Sequence, residues 1–75
     1  MFRNLKAEMV RTGVGIKDMC ERLNITQSAL FYKMRGHTDW TYKQMKQVQD
    51  LLKERGSEQT LDYLFEKGAA GDNKG

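Results

Sequence analysis

A chain of 75 residues holds one domain with a modest core and is too short to enclose a substrate pocket of ordinary size. It has no proline and is rich in Lys, Glu, Gln, Leu and Met, a composition that favours helices. Its single cysteine (Cys20) and single histidine (His37) exclude an internal disulfide and a zinc centre, and a net charge of +3 is mildly basic.

The first predicted helix runs from Phe2 to about Arg11, where Phe2, Leu5 and Met9 recur at spacings of three and four. Thr12-Gly13 ends it, with Gly13 as a left-handed cap. The second runs from Ile16 to Leu23, with Ile16, Met19, Cys20 and Leu23 on one stripe and Gly15 or a neighbour at its start. The third covers about Gln27 to Met34. Thr26 is its N-cap, Ile25 and Leu30 form a hydrophobic staple, and Gly36 stops it. The fourth spans Tyr42 to about Glu54. Thr41 and Gln44 read as a capping box, Trp40 is placed to staple onto Met45, and Met45, Val48 and Leu52 form a stripe that Leu51 widens. The fifth runs from Leu61 to Lys67 and closes on Gly68, with Leu61, Leu64 and Phe65 inward and Ser57 or Thr60 as cap. Nothing alternates with period two, so the expectation is an all-α bundle of five helices over residues 1–68, followed by a disordered tail at 69–75.

The break between the second and third helices has the requirements of a close crossing. Cys20 is small where the backbones approach, and Asn24 tolerates positive φ better than any residue except glycine. Met19 and Leu23 before the turn, with Ile25 and Leu30 after it, lock the angle. If Leu30 and Met34 face inward, then Gln27, Ser28, Phe31, Tyr32 and Arg35 face outward. Gln and Ser in the first turn of a helix suit base edges in a major groove, and Lys17, Lys33 and Arg35 suit phosphates. Tyr32 suits either a thymine methyl or a phosphate. For Phe31 three readings stay open: a base contact, a lid over the core, or a protein interface. Charge is distributed in keeping with a polyanion partner: residues 1–55 carry eleven basic and six acidic side chains, residues 56–75 two and four.

At "IKDMCERLNITQSALFYKMRG", residues 16–36, the chain resembles the phage-repressor/Cro-like helix-turn-helix proteins, the XRE family. A second match lies at "LDYLFEKG", residues 61–68, which is similar to the fifth helix that ends many such domains. The resemblance covers residues 2–68 and implies a compact five-helix bundle of the lambda-repressor-like type, with helices two and three as the helix-turn-helix. It implies base contacts from Gln27, Ser28 and Tyr32, with Phe31 beside them. It implies backbone contacts from Lys17, Thr26, Lys33 and Arg35, and from His37 and Thr38 just past the helix. The chain departs from the family at Ile16, where many members carry Gln, and at Phe31, where a polar residue is usual.

The function expected is that of a sequence-specific, DNA-binding transcriptional regulator of prophage or mobile-element type. It would act on double-stranded DNA as a homodimer joined through helices four and five (Leu51, Tyr63 or Phe65), formed only on DNA. The alternative is a protein-interaction module, adaptor or antitoxin-like, working through Phe31 and Tyr32. No cofactor, metal or small-molecule ligand is expected. Neither is catalysis, because the chain has no paired carboxylates in an apolar setting, no phosphate-binding Gly-rich loop and no Cys/His pair. With no secretory signal and no apolar run of membrane-spanning length, a cytoplasmic location is the expectation.

Overall fold

The computed structural model describes residues 2–66, which form five helices: α1 (Arg3–Thr12), α2 (Ile16–Leu23), α3 (Gln27–Met34), α4 (Tyr42–Glu54) and α5 (Leu61–Leu64). The described residues contain no strand, and none of their helices is long and apolar enough to cross a membrane. The stripes read from the sequence converge on one core. Leu5 of α1, Met19 of α2, Leu30 of α3, Val48 and Leu52 of α4 and Leu64 of α5 are all fully buried. Helix α2 packs on α3 and α4, while α1 packs on α4 and α5. Helix α3 lies outermost. Among the described helices its backbone comes close to α2 alone, anchored by Leu30.

The ends of the helices follow local chemistry. The Thr26, Thr41 and Thr60 hydroxyls each accept from a backbone N–H three residues on, at 3.1–3.2 Å. Gln44 returns the bond to the Thr41 N–H at 3.1 Å, completing that capping box. At α2 the cap residue is Gly15, whose N–H donates to the Asp18 carboxylate at 3.0 Å. Four helices then stop at a residue of positive φ: Gly13, Asn24, Gly36 and Gly56. After each, the next N–H reaches back to a carbonyl five residues earlier, as Val14 does to Met9 and Ile25 to Cys20. At Asn24, with φ 58° and ψ 49°, this leaves two residues between α2 and α3 outside either helix apart from the cap itself, which fixes the sharp turn.

Three expectations need correction and one is extended. Helix α5 ends at Leu64, because the Phe65 ring turns into an aromatic cluster and Asn4 donates to the Tyr63 carbonyl at 2.9 Å. Lys67, Gly68 and the expected tail lie outside the described residues. Ser57 does not cap α5. It is buried and donates to Glu8 Oε1 at 2.6 Å, tying the loop after α4 to α1. Trp40 does more than staple α4: its ring meets Phe2 and Phe65 edge-on, at centroid distances of 6.2 and 5.0 Å. Leu51 is core, 3% exposed, and so is not available to a dimer interface.

Candidate functional site

The outward residues of α3 follow from helical spacing and the burial of Leu30. Gln27, Phe31 and Arg35 stand four apart on one row; Ser28 and Tyr32 form the adjoining row. All five are exposed, Phe31 by 41% and Tyr32 by 53%. Phe31 and Tyr32 place two aromatic rings side by side on this outward face. Helix α3 ends with a turn that folds onto Tyr32. The His37 N–H donates to the Tyr32 carbonyl at 2.9 Å, and the two rings meet edge-on at 6.1 Å. His37 is thereby placed beside the strip.

The residues expected to hold phosphates fall into two groups. Lys17, Arg35 and His37 are exposed, and among the described residues Lys17 and Arg35 have no carboxylate within ion-pair distance. Thr26 is exposed and accepts from Ala29 N–H, which leaves its own hydroxyl proton to donate. Lys33 is different. It is half-buried, and its Nζ donates to the Asp39 carbonyl at 2.9 Å, so it braces the loop between α3 and α4. Thr38 is exposed at the end of that turn.

Three arginines away from α3 are paired with carboxylates. Arg22 of α2 grips Glu54 of α4 with two bonds of 3.0 and 2.7 Å. Arg55 lies 3.7 Å from Asp18. Arg11 meets Glu8 at 2.7 Å. Hydrogen bonding from Arg22 holds the Glu54 carboxyl below its ordinary value, and that from Arg11, then Ser57, does the same for Glu8. The sequence marks Ser57 only as a possible helix cap and gives no sign that Glu8, Arg11 and Ser57 meet. Their spacing carries no signal, because Ser57 comes from a distant loop.

One cleft adjoins the α3 strip. It has a volume of about 220 Å³ and is lined by Lys6, Ile16, Phe31, Met34 and Arg35. Lys6 reads as an ordinary solvated lysine in the sequence, and only the tertiary fold brings its side chain to this cleft.

No family model, curated protein or solved structure matches this chain.

Proposed function

We propose that the chain is a sequence-specific DNA-binding regulator of lambda-repressor-like architecture, with α2 and α3 as a helix-turn-helix. The observation that carries this reading is the α3 strip: Gln27, Ser28, Phe31, Tyr32 and Arg35 exposed on a helix that leans on α2 across the three-residue turn Asn24–Thr26. Helix α3 enters the major groove. Gln27 and Ser28 at its leading end, with Tyr32 one turn behind Ser28, meet base edges. Lys17 at the start of α2, Thr26, Arg35 and His37 meet phosphates and set the register. Lys33 supports the loop that carries His37 and keeps further N–H groups for the backbone. One such helix reads about three to five base pairs, so a homodimer on a palindromic site is the natural working form. With Leu51 in the core and Phe65 half-buried, the exposed Tyr63 is the better candidate for that contact. This reading assigns no catalytic, metal or cofactor role to the chain.

Fluorescence anisotropy on duplex DNA, with selection from a randomised pool, tests the reading. The wild type should enrich a palindrome. Gln27→Ala with Tyr32→Ala should relax that preference, whereas Lys17→Ala with Arg35→Ala should weaken binding to every sequence and flatten its salt dependence. If no duplex is retained even at low salt, the DNA reading fails.

The exposure of Phe31 and Tyr32 favours one second reading, a protein-interaction module of adaptor or antitoxin-like kind. Binding through two aromatics would barely respond to salt, while DNA binding falls steeply as counterions are released.

A further inference from the structure

Three helices meet at the cleft beside α3. Lys6 comes from α1, Ile16 opens α2, and Phe31, Met34 and Arg35 come from α3 or its cap. The cleft thus combines an apolar lining with two cations that reach it from different elements. Lys6 and Arg35 have no carboxylate within ion-pair distance among the described residues, and Lys17 follows Ile16 on the exposed side of α2. The larger cleft between α4 and the loop before α5 has no such bias, since Lys46 and Lys53 share it with Asp50 and Glu58.

We propose that this cleft seats one strand of the DNA backbone, with a deoxyribose against Ile16 and Phe31 and its flanking phosphates taken by Lys6 and Arg35. The proposal rests on the DNA-binding reading above. A nucleic-acid strand alternates the C–H face of a deoxyribose with anionic phosphates, which is the complement of this lining. Contacts of that kind fix register without carrying sequence information. The position fits as well. Gln27 and Phe31 lie on one row of α3, so a strand held at Phe31 and Arg35 leaves the first turn of the helix directed at the bases. Phe31 is then neither a base reader nor a lid over the core. Lys6, on a helix outside the helix-turn-helix, becomes part of the DNA-binding surface.

Anisotropy titrations across a salt series decide the matter, on the selected duplex and on a scrambled one. Lys6→Ala should lower the salt slope by about one on both duplexes, and Lys6→Arg should restore it. Phe31→Ala should weaken both duplexes by the same factor, about fivefold, and leave the selected sequence unchanged. Circular dichroism melts of each variant separate lost binding from lost folding. If the wild type binds DNA and Lys6→Ala keeps its slope, the cleft assignment is wrong and the DNA reading stands. A relaxed preference at one base pair in Phe31→Ala would make Phe31 a base reader and also overturn it. If the wild type binds no DNA, both fail. Amide shifts of Lys6 and Phe31 on adding the hexapeptide Glu-Asp-Phe-Asp-Glu-Asp would then give the cleft to an acidic protein partner.

Discussion

Glu8 is 5% exposed and yet charged, which a small helical domain tolerates only with partners in place. Arg11 supplies the opposite charge from one turn on, and Ser57 supplies a hydroxyl from the far side of α4. Glu8→Ala leaves the buried Ser57 hydroxyl without its acceptor and should cost about 1–3 kcal/mol in urea denaturation. Ser57→Ala removes a donor that the Arg11 bonds partly replace, so its cost should be the smaller. The same site predicts a pH effect. Arg11, and then Ser57, hold the Glu8 carboxyl below its ordinary value of 4.5, so the unfolded chain binds that proton more readily than the folded one. The stabilisation is complete above 4.5 and disappears as pH falls through the lower folded value. Urea melts at pH 7 and pH 3 should therefore show a larger loss for the wild type than for Glu8→Gln. Equal losses would mean that Glu8 contributes nothing to acid sensitivity.

At the scale of the element, the turn between α2 and α3 depends on the left-handed conformation of Asn24. Asn24→Gly should be neutral or slightly stabilising. Asn24→Val places a β-branched residue at positive φ and should cost about 1–2 kcal/mol or more, visible as a lowered thermal midpoint. Thr26→Ala removes the cap of α3, the helix with the least support from its neighbours, at about 1 kcal/mol. Hydrogen exchange should then quicken in α3 before it quickens in α4. Equal quickening throughout would show that α3 is not a separate unit of local unfolding.

These features were legible in the sequence because they are local. Thr26, Thr41 and Thr60 bond to groups three residues away, and the apolar stripes are set by the period of the helix itself. The outward rows of α3 were legible for the same reason. What lies beyond local spacing was not. Lys6 reaches the cleft and Ser57 reaches Glu8 only through the packing of helices distant in the chain. Lys33 reads as a free cation, because its bond to the Asp39 carbonyl depends on the path of the intervening loop. Phe65 fits the helical stripe of α5, yet its ring is held by Phe2 and Trp40, contacts that helical spacing does not reveal.

Across the whole molecule, the described residues have a radius of gyration of 11.5 Å and close on themselves through aromatic rings. Phe2 precedes α1, Trp40 precedes α4 and Phe65 follows α5, with all three pairs of centroids within 6.2 Å. Phe2 is 4% exposed, so Phe2→Ala should cost about 3–5 kcal/mol, a large share of the stability of a domain this small. A melt unchanged by that substitution would show the cluster to be superficial. Assembly belongs to this scale too. With Leu51 buried, sedimentation of the free chain should show a monomer, and Tyr63→Glu should impair paired binding on a palindrome without lowering the thermal midpoint. A tight dimer in the absence of DNA would contradict the proposed interface.

Trp40 is the chain's one tryptophan, and its indole N–H is buried with no hydrogen-bond partner among the described residues. The protein therefore carries its own optical probe, half-buried at the junction of α1, α4 and α5. Emission from that indole should be short in wavelength when the cluster is closed and move to the red as it opens. The α2–α3 arm that presents Gln27 and Tyr32 lies outside this cluster. Docking confined to the Gln27–Tyr32 face should thus leave the colour of the emission unchanged, while opening of the aromatic cluster should shift it. A single fluorescence spectrum can then distinguish motion of the α2–α3 arm from opening of the body that supports it.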